Sequence, residues 1–103
     1  MKLRIQETDI TLRLLPEEVA SLAQQKRLIQ ITQLADHQLH IEIKLQEINQ
    51  IELKHRGQVF SFLFPENLIE EWSTTNKVGY RRHDGEVLLV IEKDMPPKRK
   101  RDN

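Results

Sequence analysis

The chain contains no cysteine, and its three glycines, Gly57, Gly79 and Gly85, stand apart from one another. The lack of cysteine excludes disulfide frameworks, thiolate zinc sites and cysteine nucleophiles. It also fits a reducing compartment, so we expect a cytoplasmic location. The scattered glycines exclude the glycine-rich phosphate loops of nucleotide-binding proteins.

Long apolar runs are also missing. No stretch approaches the roughly 18 residues that a membrane-spanning helix needs. The opening residues, MKLRIQETDI, lack the apolar segment of a signal peptide. We therefore expect no membrane partner. A chain of 103 residues is large enough to bury a core, so we expect it to fold without a metal or another cofactor.

Charge is balanced overall but unevenly distributed, with 16 Lys+Arg against 16 Asp+Glu. Four of the cations, Lys98, Arg99, Lys100 and Arg101, are clustered near the end, which leaves a mildly acidic body. Such a body is not a surface for a polyanion, so nucleic acid is expected to bind only weakly, through this cluster. Pro96-Pro97 ends regular structure. Residues 1–94 are therefore predicted to form a single domain, followed by a disordered basic tail, residues 95–103.

The order strand, strand, helix, strand, strand is predicted twice, in residues 1–48 and 49–94. Alternating polar and apolar residues predict the strands, and prolines followed by glutamates predict the two helix starts. One constant shift aligns Pro16 with Pro65 and Ile29 with Val78. The predicted fold is α+β: a duplicated ββαββ unit that forms a curved, mostly antiparallel sheet or small barrel with two short helices.

The apolar faces of these elements predict the core. Its expected members are Ile5, Leu12, Leu14, Val19, Leu22, Ile43, Phe60, Phe62, Leu68, Trp72, Leu89 and Ile91.

Several stretches, in this order, resemble a family of small bacterial proteins of unknown function, of the Bacteroidetes type. They are Met1 to Ile5, Ile10 to Leu14, Glu18-Val19, Leu22, Pro65-Glu66, Glu71-Trp72, Val78-Gly79 and Ile91 to Asp94. The resemblance covers almost the whole body. It implies no activity, cofactor or catalytic residue.

Charged side chains on the polar strand faces are the only candidates for a ligand site. Neither the serines nor the histidines have the neighbours of a nucleophilic or metal site, so no catalytic, cofactor-binding or metal-binding residue is predicted. If the sheet closed with its charged faces inward, Arg4, Arg13, Glu42 and Lys44 could bind a polyphosphate, in the style of triphosphate-tunnel enzymes. An eight-stranded barrel of this size is usually filled by side chains, however.

The sequence therefore predicts a small cytoplasmic, non-catalytic binding or interaction module, although an enzymatic role is left open. Its expected partner is an unknown protein or a second copy, in a homodimer. The alternative is a phosphate- or polyphosphate-binding barrel. A packed apolar interior would favour the first prediction, and a polar tunnel the second.

Overall fold

A computed structural model describes residues 1–94 and contains ten elements. In chain order they are β1 (Lys2–Gln6), β2 (Asp9–Leu14), α1 (Pro16–Gln25), β3 (Arg27–Leu34), β4 (His37–Gln46), β5 (Glu52–Arg56), β6 (Val59–Pro65), α2 (Glu66–Thr74), β7 (Gly79–Asp84) and β8 (Val87–Lys93). The predicted basic tail and its weak contact with nucleic acid lie outside the described residues.

The strands form two open sheets of four. Sheet A has the order β1-β2-β8-β7 and sheet B the order β3-β4-β6-β5. Each sheet has a parallel pair at its centre, β2 with β8 and β4 with β6, and antiparallel outer pairs. The predicted α+β class, with two helices and two similar units, is confirmed. Neither a single curved sheet nor a closed barrel is formed by residues 1–94.

The two units exchange hairpins. Sheet A takes β1-β2 from the first unit and β7-β8 from the second, while sheet B takes the other two hairpins. Parallel neighbours require a long connection. The chain leaves sheet A after β2 and returns to it before β8, whereas β4 is connected to β6 through β5 within sheet B. Helix α1 links β2 of sheet A to β3 of sheet B, and α2 links β6 of sheet B to β7 of sheet A. Each unit therefore contributes half of both sheets.

Equivalent positions in the two units carry the core. The buried residues of β2 and α1 each have a buried counterpart in β6 and α2. The pairs are Leu12 with Phe62, Leu14 with Phe64, Val19 with Ile69 and Leu22 with Trp72. The sequence separation within each of these pairs is one residue larger than the separation between Pro16 and Pro65. Pro16 is the first residue of α1, whereas Pro65 precedes α2 as its N-cap.

Helix α1 has defined ends. The Glu18 carboxylate accepts a hydrogen bond from the backbone N–H of Leu15 at 2.8 Å, which satisfies a donor that the helix leaves unpaired. Lys26 ends the helix in the left-handed conformation and donates its N–H to the Leu22 carbonyl at 2.8 Å. Neither helix within residues 1–94 is long and apolar enough to cross a bilayer.

One apolar cluster joins both sheets and both helices. Its buried members are Leu12, Leu14, Val19, Leu22, Ile41, Ile43, Ile51, Phe62, Phe64, Ile69, Trp72, Leu89 and Ile91. No polar side chain within residues 1–94 is buried. The prediction for Ile5 is wrong: its side chain is 55% exposed, because it lies near the end of an edge strand. Phe60 and Leu68 only pack against the cluster as half-buried side chains.

Candidate functional site

The four predicted ligand residues are divided between the two sheets. Arg4 and Arg13 lie on neighbouring strands of sheet A, and Glu42 and Lys44 lie on β4 of sheet B. Arg13, Glu42 and Lys44 alternate with core residues, so they belong to the face turned away from the core. Arg4 shares the face of Arg13, because Lys2, two residues before it, pairs with Arg13. The structure brings Glu42 close to Lys44 but does not bring either of them to Arg4 or Arg13.

On sheet A, the two arginines are engaged with neighbours at the surface. The Arg13 guanidinium forms an ion pair with Glu92 at 3.1 Å. Arg4 donates a hydrogen bond to the Gln6 side chain at 3.0 Å. These are exposed surface contacts, and such ion pairs contribute little to stability.

On the outer face of sheet B, Glu42 organises the polar side chains. Its carboxylate accepts a hydrogen bond from Arg27 Nε at 2.9 Å and forms an ion pair with Nη2 of the same guanidinium at 2.7 Å. The Ser61 hydroxyl donates to the other carboxylate oxygen at 3.3 Å, and the Lys44 ammonium lies 3.8 Å from it. The Glu42 side chain is only 12% exposed. Glu42 therefore holds Arg27 over β4.

A shallow cleft of about 410 Å³ lies beside Glu42 on the same face. Three cations, Lys44, Lys54 and Arg56, line it together with Gln46, Val59, Ser61 and Leu63. We call it the basic groove. Leu63 forms its floor and is only 6% exposed although it points away from the core. The groove thus combines an apolar floor with a positively charged rim.

Strand β3 forms an open edge of sheet B next to this face. Ile29 and Ile31 are 47% and 54% exposed, and Leu34 at the end of the strand is also exposed. The register places Ile29 beside Glu42 and Ile31 beside His40. The half-buried side chains of the strand are Leu28, Gln30 and Thr32. We call the strand with its two exposed isoleucines the β3 edge.

Sequence reasoning identified β3 but could not assign its faces. The positions after Arg27 alternate between Leu28, Gln30 and Thr32 on one face and Ile29, Ile31 and Gln33 on the other. The second face has the two isoleucines, yet it is the exposed one in the structure. Val78, which the sequence alignment pairs with Ile29, is exposed as well. The absence of charge from Leu28 to Leu34, with apolar residues on both faces, is the signal that could have drawn attention to this edge.

A second cluster of polar contacts surrounds Tyr80 on β7. Its hydroxyl donates a hydrogen bond to the Glu71 carboxylate at 2.8 Å, and its ring packs against Trp72 in a T-shaped arrangement with 5.6 Å between the ring centroids. The Lys77 ammonium lies 4.3 Å from the centre of the ring. Burial, followed by the hydrogen bond and the charge of Glu71, raises the pKa of Tyr80 well above its usual value. The cluster ties α2 to sheet A.

A family model described as "Family of unknown function (DUF7009)" matches residues 1–103. The chain belongs to the DUF7009 family. This result confirms the resemblance to a family of unknown function. Searches with this DUF7009 chain found no match among curated proteins and none among solved structures.

Metal ligands are not grouped in this part of the DUF7009 chain. Within residues 1–94, no three side chains of histidine, aspartate or glutamate converge in a way that could bind a metal ion. His37 and His40 instead contact amide side chains, Gln58 and Gln38 respectively, at 3.3 Å. The basic groove and the β3 edge therefore remain as the candidate sites.

Proposed function

We propose that this protein is a non-catalytic binding module of the cytoplasm, which captures extended protein segments by strand addition at the β3 edge. The observation that supports this proposal is the combination of exposed Ile29 and Ile31 with an edge that carries no charge from Leu28 to Leu34. Natural sheets usually protect an edge with charges, prolines or bulges. The absence of cysteine supports the location.

Strand addition uses two kinds of contact. Backbone groups at the edge form hydrogen bonds with the incoming segment and supply affinity, while its alternate side chains supply specificity. Here the alternate side chains would pack against Ile29 and Ile31, on the outer face of sheet B. The expected ligand is therefore an extended segment with apolar residues at every second position.

A fluorescently labelled peptide with the sequence of residues 27–34, RLIQITQL, is a suitable probe because it has this pattern. We expect it to bind the protein, so that its fluorescence anisotropy rises to a plateau as protein is added. The same peptide carrying Ile29→Pro and Ile31→Pro should not bind, because proline lacks the N–H donor. On the protein side, Ile31→Lys should weaken binding at least about tenfold.

Ile5→Lys is the matched control, since Ile5 is equally exposed on another edge strand, β1. It should leave peptide binding unchanged. Equal binding of the proline peptide, or an equal loss of binding with Ile5→Lys, would contradict strand addition at β3.

The basic groove supports a second candidate function, the binding of a polyphosphate anion on the open face of sheet B. Lys44, Lys54 and Arg56 surround the cleft, and cations attract a chain of phosphates. Calorimetric titration with tripolyphosphate should show binding that weakens with salt. Lys54→Ala combined with Arg56→Ala should abolish the binding, whereas Arg4→Ala on sheet A should not. If the double variant still gives a heat of binding, the basic groove is not the binding site for tripolyphosphate.

A further inference from the structure

The hydrogen-bonding pattern of β3 shows which of its backbone groups face the open edge. The Leu45 N–H donates to the Lys26 carbonyl at 3.1 Å, so this antiparallel pair is a hydrogen-bonded one. In an antiparallel ladder such pairs alternate with pairs that do not exchange hydrogen bonds. With the observed register of β3 and β4, the even-numbered residues of β3 bond to β4. The N–H and C=O groups of Arg27, Ile29, Ile31 and Gln33 point away from it.

The residues with outward backbone groups are also those whose side chains lie on the outer face of sheet B. Ile29 and Ile31 are therefore open to a new strand in two ways, through the backbone and through the side chain. An antiparallel strand could exchange hydrogen bonds with all four residues and pack its own side chains against the two isoleucines.

The sequence of β3 is complementary to itself in this arrangement. If two copies meet antiparallel about a twofold axis at Gln30, Ile29 of each copy lies opposite Ile31 of the other. Arg27 lies opposite Gln33, so no like charges face each other. β-Branched side chains such as these pack well against their neighbours on the pleated surface of a sheet. The register is also the one that uses every outward backbone group of the strand.

The charge of Arg27 does not oppose this pairing. Its guanidinium is bonded to Glu42 of β4 at 2.7 Å and is thereby drawn away from the edge. The other three edge strands differ, because charges occur along their length: Lys2 and Arg4 in β1, Glu52, Lys54 and Arg56 in β5, and Arg81, Arg82 and Asp84 in β7. Among the four edges of the described sheets, β3 is also the longest.

From these observations we infer that the protein forms a twofold homodimer in which β3 pairs antiparallel with β3 of a second copy, so that the two B sheets become continuous. The inference rests on the strand-addition function proposed above and names its partner. An interface of one strand pair is at the small end of protein interfaces. The dimer should therefore dissociate on dilution.

The test is the molar mass of the full chain by analytical ultracentrifugation over a range of concentrations, in wild type and two double variants. Wild type should change from the mass of one chain to that of two as concentration rises. Ile29→Lys with Ile31→Lys places lysine opposite lysine and should remain monomeric. Ile29→Glu with Ile31→Lys removes the same apolar surface but places glutamate opposite lysine at both pairs. This variant should dimerise, and added salt should weaken it.

The comparison of the two double variants decides the register, and thermal unfolding checks that both are folded. A wild type that is monomeric at every concentration would overturn the inference. So would a dilysine variant that dimerises as wild type does, or two double variants that behave alike. A monomeric wild type that still binds the RLIQITQL peptide through Ile31 would refute only the homodimer. A wild type that neither dimerises nor binds the peptide would refute the proposed function as well.

Discussion

Trp72 is the largest fully buried side chain of the described core, and its indole N–H also donates to the Lys77 carbonyl at 2.9 Å. We expect Trp72→Ala to lower the free energy of unfolding by about 3–5 kcal/mol, since the cavity cannot fully collapse. Urea unfolding monitored by circular dichroism measures this loss. Trp72→Phe should cost less because it keeps most of the volume. A loss below about 1 kcal/mol for alanine would contradict the core role of this residue.

Tyr80 should make stability depend on pH in the alkaline range. The fold raises its pKa, so the folded state retains the phenol proton where the unfolded state has lost it. The contribution of Tyr80 is complete below its usual pKa of about 10 and falls as pH rises above it. Tyr80→Phe should have a flatter pH profile there, measured by chemical unfolding at several pH values. As the only tyrosine, Tyr80 also reports its own titration through the absorbance of tyrosinate. Identical profiles for the two proteins would contradict this expectation.

Gly79 allows β7 to approach β8 closely. A Cβ atom at this position would lie 2.0 Å from the Ile91 carbonyl oxygen and 3.0 Å from the Glu92 Cα, both backbone atoms. Gly79→Ala must therefore displace the edge strand, and we expect it to cost about 1–3 kcal/mol. The neighbouring Val78→Ala, at an exposed position, should be nearly neutral in the same unfolding measurement. Equal effects of the two substitutions would show that the close approach is unimportant.

Predictability from the sequence varied between single residues. Trp72, Leu12 and Ile43 were correctly placed in the core, because alternation within a strand and spacing within a helix identify the buried face when the other face is charged. Ile29 and Ile5 are exposed because of where their strands lie at the edges of sheets, which depends on tertiary pairing. Local pattern carries no information about that position.

The four hairpins share one construction. Each has a two-residue loop whose first residue has a positive φ: Glu7 at 54°, Ala35 at 28°, Gly57 at 59° and Gly85 at 64°. Glycine accepts this conformation at low cost, whereas other residues are strained in it. The hairpins of the second unit therefore have the residue that the turn favours, and those of the first unit do not.

Ala35→Gly should accordingly stabilise the protein, by about 0.5–1 kcal/mol, because it relieves the strain at a positive φ. Gly85→Ala is the opposite change at the equivalent position of the β7-β8 hairpin, and it should destabilise the protein. Thermal midpoints of both variants against wild type test the pair. A lower midpoint for Ala35→Gly would mean that the backbone is not strained there.

Element type and order were predictable to within a few residues, since all eight strands and both helices occur in the predicted sequence. The pairing of the strands into sheets was not predictable. The alternating pattern identifies hairpins between neighbours in the chain, but the parallel pairs β2-β8 and β4-β6 join distant segments. Their register is fixed by packing of Leu12 beside Ile91 and Phe62 beside Ile43, contacts that no local signal reveals.

The exchange of hairpins makes each half of the molecule dependent on the other. We expect a fragment of residues 1–48 to be unfolded as a monomer, because both of its hairpins lack their parallel neighbour and β2 and β4 leave their apolar faces uncovered. Mixing it with residues 49–94 should restore a folded complex. Circular dichroism and the dispersion of amide proton NMR signals measure this outcome. A fragment that is monomeric and folded on its own would contradict the dependence.

The pairing of β2 with β8 also sets an order for folding during synthesis. Sheet B is complete once β6 has left the ribosome, whereas sheet A must wait for the last strand of the fold. Until then, the first hairpin to be translated has no strand beside β2, and its apolar residues remain uncovered. Contacts between distant segments are slow to form, and uncovered strand edges favour aggregation. The earliest part of the nascent chain is thus the last to be protected, and it is the segment for which a molecular chaperone would be most useful.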